Sequence, residues 1–281
     1  MTHSQPPALT REQFTYISEL AHREAGLVLS ESKTSMIASR LNKRMKTLNI
    51  KNIKDYLSIL KSDQLDSELP HLISSLTTNV SHFFREQHHY ETFKKEVIPA
   101  LKEKARSGEP IRIWSAGCSS GQEIYSLIFS MHNEFPDFEK HDIKFLATDI
   151  DPNIISFAKK AKYSKNQIKG IPENILLKHF DNEGDNYEVK ENIRRIPTFR
   201  VLNLLKEWPF KLKFDVIFCR NVVIYFDENT QELLWQRFQR VIKKSGWIFI
   251  GHSERMNSPE RFNFSPTGIT TYRQSEFRES R

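Results

Sequence analysis

The stretch Ile111-Arg112-Ile113-Trp114-Ser115-Ala116-Gly117-Cys118-Ser119-Ser120-Gly121-Gln122-Glu123 limits this chain more than any other. Ile111, Ile113 and Trp114 are β-type residues and predict a short buried strand. Gly117 and Gly121 give a tight turn in which an approaching ligand meets no Cβ. From Glu123 a helical run carries Tyr125, Leu127, Ile128, Phe129 and Met131. A strand, a glycine turn and a helix start together make a cofactor-binding corner. The glycines are four apart, so this is not the G-x-G-x-x-G pattern. On spacing alone this is weak evidence, and an ordinary strand-to-helix turn is the better reading.

The next acidic landmark favours the ligand corner. Lys144-Phe145-Leu146-Ala147-Thr148 is a second apolar strand, and Asp149 ends it, 28 residues after Gly121. An acid at that tip accepts hydrogen bonds from ribose hydroxyls. Further strands are expected at Phe199 to Leu202, with Asn203 at the end, at Phe214 to Cys219 and at Trp247 to Ile250. Ile269 to Arg273 reads as a last, edge strand. Helices are expected at Pro152 to Ala161 and Thr230 to Ile242, the latter stopped by Lys244-Ser245-Gly246. Alternating strands and helices predict an α/β fold with a mainly parallel sheet and ligands at the strand carboxyl ends. Arg220-Asn221-Val222-Val223-Ile224-Tyr225-Phe226 stands at such an end. Tyr163 to Phe199 breaks the rhythm and reads as an insert, partly antiparallel, with short strands at 187–189 and 192–194.

The first 80 residues read as a small all-helical unit. Thr10-Arg11-Glu12-Gln13 has capping-box spacing, and Phe14, Ile17, Leu20 and Ala21 follow at helical intervals. A second helix is expected at Lys33 to Leu48, with Ile37, Ala38, Leu41, Met45 and Leu48 on one arc. Lys33 to Lys54 holds seven basic residues and no acidic one. A surface normally mixes signs. Arg40, Lys43, Arg44 and Lys46 are therefore candidates for docking an acidic surface, the alternative being a solvated face. Third and fourth helices are expected at Ile53 to Leu60 and Leu65 to Leu76.

Thr77 to Arg85 joins the two parts, either as a capped helix start or as a loop closing over the ligand. A helix is expected from residue 88 to 106. His88 and His89 are adjacent and so cannot face one metal from one helix side, and no H-E-x-x-H is present, so no metal is expected. The two cysteines, Cys118 and Cys219, exclude a disulfide framework and a cysteine-based zinc site, and read as buried thiols.

No apolar run reaches the roughly 18 residues needed to span a bilayer. Met1 to Leu9 has neither a basic nor an apolar leader segment, so a cytoplasmic protein is expected. The net charge of +7 and pI near 9.2 point to an acidic partner without naming it.

Six segments together resemble a known family. They are Thr78-Asn79-Val80-Ser81-His82-Phe83-Phe84-Arg85-Glu86, Gly117 to Glu123, Ala147 to Asp151, Asn203-Leu204-Leu205, Phe218 to Phe226 and Gly251 to Glu254. In that order they resemble CheR, the chemoreceptor glutamate methyltransferases of bacterial chemotaxis. The resemblance implies a helical N-terminal domain at 10–80 and a class I S-adenosylmethionine (SAM) methyltransferase domain, Rossmann-like, at 81–281. It also implies a β-subdomain inserted at about 164–199. The family's SAM contacts fall on Asn79, Ser81, Arg85, Glu123, Asp149, Asn203, Leu204, Arg220 and Asn221, beside the turn glycine Gly117. Ser81 stands where the family commonly has Thr, and Gln122 and Ile124 flank Glu123 where Glu and Pro are frequent.

The implied reaction moves a methyl group from SAM to receptor glutamate carboxylates, giving methyl esters and S-adenosylhomocysteine. A glutamate is ionised at pH 7, with a reference pKa of about 4.3, so no general base or metal is needed. Arg220 and Tyr225 are candidates to hold the carboxylate, core packing being the other reading of Tyr225. The implied partner is the acidic helical region of methyl-accepting chemotaxis receptors, met by a monomer. The low-glycine insert, with Asp181, Glu183, Gly184 and Asp185, suggests no grip on a receptor tail peptide. Two rival readings are a nucleic-acid methyltransferase, which lacks a basic-aromatic stacking platform here, and a non-catalytic SAM-binding module.

Overall fold

The computed structural model describes residues 9–77 and 80–275. The chain opens with four helices, α1 (Arg11–Ala25), α2 (Thr34–Thr47), α3 (Ile53–Leu60) and α4 (Leu65–Leu76). The capping box of α1 forms: Thr10 Oγ1 accepts from Gln13 N at 3.2 Å, and Gln13 Oε1 accepts from Thr10 N at 3.0 Å. Gly26 ends the helix at φ 68°, where a Cβ would meet Leu205 Cδ1 at 2.6 Å. The apolar arc of α2 packs inward, with Ile37, Ala38, Leu41 and Met45 buried.

The basic face of α2 differs from the expectation. Arg44 turns inward, its Nε and Nη2 donating to the two oxygens of Glu68 at 2.8 and 2.5 Å. Tyr56 Oη donates to the same carboxylate at 2.6 Å. Arg40 Nη1 donates to the carbonyls of Leu76 and Thr77, both at 2.9 Å. Both arginines therefore clamp α2 to α4, because helix-end carbonyls and a buried carboxylate need donors more than the surface does. Lys43 and Lys46 remain exposed.

The rest is built on a seven-stranded sheet in the order β6-β2-β1-β7-β8-β10-β9. Its strands are β1 (Ile111–Ala116), β2 (Ile143–Asp149), β6 (Pro197–Val201), β7 (Phe214–Cys219), β8 (Ile242–Ile250), β9 (Phe264–Gly268) and β10 (Thr271–Gln274). The first five are parallel, and β10 runs antiparallel to both β8 and β9. Alternate side chains go to opposite faces. Ile111, Ile113, Val216 and Phe218 enter one core, while Trp114, Ala116, Ile217 and Cys219 enter the other. Helices α7 (Gln122–Glu134), α8 (Pro152–Lys160) and α11 (Glu228–Val241) connect the strands.

Three expectations are corrected. The strand at Ile269 to Arg273 is not an edge: β9 lies outside it, unrecognised because Pro266 and Gly268 are poor strand formers. The strand expected from Trp247 begins at Ile242, with a register irregularity that Ser245 accommodates at φ 60°. Residues 192–194 form no strand. They belong to a helical turn, α10 (Glu191–Arg194), closed by Ile193 N and Arg194 N on the Lys190 carbonyl, both at 2.9 Å. The insert is a three-stranded antiparallel sheet, β3 (Lys162–Ser164), β4 (Phe180–Glu183) and β5 (Asn186–Val189), with α9 (Glu173–His179).

Between the helical unit and β1 runs a helix in three parts, α5 (Gln87–Thr92), a π-turn at Phe93–Val97 and α6 (Ile98–Arg106). The helical unit is pinned to the carboxyl side of the sheet. Leu27 bridges Phe226, Val28 N donates to the Tyr225 carbonyl at 2.8 Å, and Asn203 Nδ2 donates to the Glu24 carbonyl at 2.8 Å.

Burial pushes the Glu68 carboxyl up, but the bonds from Arg44 and Tyr56 outweigh it and hold it below its usual value. Arg44→Ala should leave Glu68 with one side-chain donor and cost about 2–4 kcal/mol of stability. Glu68 contributes when ionised, so the deficit should fade in acid, below the ordinary glutamate range near 4.3. Urea unfolding at pH 7 and at pH 3.5 measures both effects.

Candidate active site

A cavity of about 300 Å3 opens at the carboxyl ends of β1, β2 and β7, under the helical unit. Its floor is the turn after β1. Gly117 has φ 80°, and a Cβ there would meet Val222 Cγ2 at 2.4 Å. Gly117 N and Cys118 N both donate to the Thr148 carbonyl at 2.8 Å, locking the turn to β2. This turn and the Arg220–Phe226 loop are thus packed with no room for a side chain between them.

Asp149 ends β2 and lines the cavity, 9 % exposed. Ser119 N donates to its Oδ2 at 2.8 Å and Asp151 N to its Oδ1 at 3.1 Å. Burial outweighs those bonds and pushes the carboxyl up to about 6. Ionising it costs folding stability as pH rises through that value, a cost that a ligand donating hydroxyl hydrogens to it offsets.

Arg220 sits at the other end of the cavity, its side chain 2 % exposed. Its Nη1 lies 3.2 Å from Glu123 Oε2, its Nη2 lies 3.1 Å from Glu86 Oε2, and Nη2 also donates to the Arg85 carbonyl. Ser115 Oγ donates to Glu123 Oε1 at 2.7 Å. Burial raises the Glu123 carboxyl despite Arg220. Arg220, expected to grip an incoming carboxylate, lines the cavity with both Nη atoms held by carboxylates of the chain itself, while its buried Nε has no partner among the described residues. Arg85 is the guanidinium nearer solvent, its side chain one-third exposed, with Nη1 donating to the Val80 carbonyl at 3.1 Å.

Ser81, Arg85, Gly117, Glu123, Asp149, Asn203, Leu204, Arg220, Asn221 and Tyr225 all line this cavity. Asn79 lies outside the described residues. Asn203 faces two ways, holding Glu24 through Nδ2 and accepting from Leu205 N at 2.9 Å. The described part of the junction, residues 80–85, is non-helical and contributes Val80, Ser81, His82 and Arg85 to the cavity lining. Arg40, Lys43, Arg44 and Lys46 do not line it.

Sequence reasoning missed two groups of lining residues. Ala25, Leu27, Ile73 and Thr77 come from the helical unit, and no local pattern marks them. His82 lines the mouth, where burial, Arg85 and Arg220 push its imidazole below its usual value. The adjacency of His88 and His89 also misled. Glu86, at φ 59°, turns its carboxylate back over both rings, and ligand atoms of the three lie within 4.8 Å of one another. That carboxylate is committed to Arg220, and His89 Nε2 lies 2.9 Å from Thr270 Oγ1. Both cysteines are buried free thiols whose ionisation burial opposes, as expected.

Among the described residues no helix is long and apolar enough to cross a membrane. Two family models match in tandem: the CheR methyltransferase all-alpha domain over residues 12–77, and the CheR methyltransferase SAM-binding domain over residues 79–272. A probable chemotaxis protein methyltransferase of Rhizobium etli is 40 % identical over 258 residues, covering 90 % of this chain and 96 % of the relative. The chemotaxis protein methyltransferase of Escherichia coli is 36 % identical over 276 residues, covering 96 % and 93 %. That of Borreliella burgdorferi is 35 % identical over 262 residues, covering 91 % and 92 %. The cavity suits the cofactor that the second model names: a floor glycine with no side chain of its own, an acid at the tip of β2, and the buried carboxylate of Glu123 in the lining, where a cationic ligand would be favoured. With its SAM-dependent domain and its helical domain matched from end to end, the chain belongs to the CheR methyltransferases.

Proposed function

We propose that this methyltransferase esterifies glutamate side chains on the cytoplasmic helical region of chemoreceptors, giving methyl esters and S-adenosylhomocysteine. The observation that carries the reading is a cavity lined by both family domains, with a partly exposed Arg85 and a half-buried Tyr225 in its lining. SAM supplies an already activated methyl group. The protein has then to align a carboxylate oxygen with it and exclude water. Asp149 is the candidate to hold the ribose and Gly117 to give close approach. Arg220 holds Glu86 and Glu123 in place, and Arg85 with Tyr225 is proposed to receive the substrate carboxylate. The helical unit excludes water through Leu27 and Ile73. Because Arg40 and Arg44 are used inside the fold, the basic face is narrower than the sequence suggests, which weakens the nucleic-acid reading.

The test is incubation with methyl-labelled SAM and either receptor cytoplasmic fragments or RNA. Base-labile label on the receptor is expected. Label on RNA alone, or tight SAM binding with no transfer, would sink the proposal.

Asp149→Ala should remove two hydrogen bonds to the cofactor, a loss of about 2–4 kcal/mol, or roughly 30- to 1,000-fold in affinity. In the unmutated protein the affinity should be flat above pH 7. It should fall by up to about tenfold per pH unit below 6, where the carboxyl takes up a proton and no longer accepts fully. Calorimetry across pH 5 to 8 checks both.

Lys43 and Lys46 are the exposed cations left on α2. Changing both to Glu should weaken receptor methylation and its salt dependence while SAM affinity stays unchanged. Normal methylation by this variant reduces the face to a solvated one.

Asp181, Asn182, Glu183, Gly184 and Asp185 are exposed around the β4–β5 turn. Such an acidic edge should repel an acidic tail. Methylation of a receptor lacking its tail should proceed as on the full receptor, and a tail peptide should give no micromolar binding by calorimetry.

A further inference from the structure

Glu254 lies on the turn that leaves β8 and is 3 % exposed. None of the chemistry described so far uses it. Its two oxygens accept four backbone amides. Asn221 N donates to Oε2 at 2.9 Å and Gly251 N to the same oxygen. Val223 N and Ile224 N donate to Oε1 at 2.8 and 3.2 Å. Three of these donors belong to the loop that lines the cavity and carries Tyr225.

That loop needs an anchor. Asn221 sits at φ 58°, a left-handed conformation that asparagine tolerates better than other non-glycine residues but does not by itself hold to a single shape. Val222 crowds the floor glycine, and Ile224 is 48 % exposed, so apolar burial fixes little of its outer part. Gly251 packs against the loop so closely that a Cβ would come within 2.7 Å of Asn221 N. Backbone amides converging on one point form an anion nest, and here the anion is a side chain of the chain itself.

We propose that Glu254 is a positioning residue: its carboxylate ties the Asn221–Ile224 backbone to the end of β8 and so sets where Asn221 and Tyr225 stand in the cavity. This rests on the role proposed for Tyr225, yet part of its test needs no activity. A glutamine offers one oxygen, and its NH2 would face two of the amides, so Glu254→Gln removes half of the anchor and Glu254→Asp shortens it.

The experiment combines amide exchange with kinetics. In the unmutated enzyme Asn221, Val223 and Ile224 should exchange more than ~100-fold slower than an open loop. In Glu254→Gln these three should speed at least ~10-fold while the β7 amides stay protected. For enzyme shown folded by circular dichroism, kcat should fall at least ~10-fold with KM for the receptor within about threefold. Glu254→Asp should lie between. Tyr225→Phe should cost less in the Gln background than alone, since the two act through one loop. Fast exchange in the unmutated loop, unchanged exchange in Glu254→Gln, or unchanged kcat each overturns the proposal. If Tyr225→Phe alone is silent, the Tyr225 role fails separately, and exchange with kcat still judges the anchor.

Discussion

One guanidinium between two carboxylates holds the catalytic end of this molecule together. Arg220 leaves the carboxyl end of β7, Glu123 opens α7, and Glu86 stands before α5. Three elements distant in sequence are thereby joined at one buried point. Charges so placed are stable only when paired, and removing one partner strands the rest. Arg85 Nε lies 3.9 Å from Glu86 Oε1, so a second guanidinium stands beside the cluster, and burial raises the Glu123 carboxyl within it. Arg220 thus ties three elements of the pocket together, while Arg85 is the guanidinium nearer solvent.

The second dependence is between domains. The sheet alone leaves the carboxyl ends of its strands open to water. Leu27, Val28 and Glu24 reach the loops after β6 and β7 and close the cavity on that side. The same two loops carry Asn203 and Tyr225, so the backbone that makes the domain contacts also lines the cavity. This is where Glu254 exerts its hold. With Asn221 left-handed and Ile224 half-exposed, the loop relies on the capture of its amides to keep one shape.

Parts of the fold were legible because they obey a local period. The bounds of α3 and α4, the apolar run of β7 and the strand-turn-helix at Ile111 to Glu123 follow from side chains within a few residues of each other. Parts that depend on distant partners were not. Arg44 looked like surface charge until Glu68 and Tyr56, from other helices, stood against it. Residues 192–194 looked like a strand, but no neighbouring strand is in register to pair with them. β9 was missed because an edge strand tolerates a proline that a central one does not.

The candidate site divides in the same way. Sequence alone determined the glycine turn, the acid at the strand tip, the Arg220–Tyr225 segment and, through six short segments in order, the family to which they belong. These are short-range signals, in which residue type and spacing dictate the backbone. Only the tertiary structure decided which charges are spent on one another, which domain roofs the cavity, and that Glu254 collects the amides of the Tyr225 loop. Pairings across 30 to 180 residues depend on where the sheet places its strand ends, and nothing local encodes that distance.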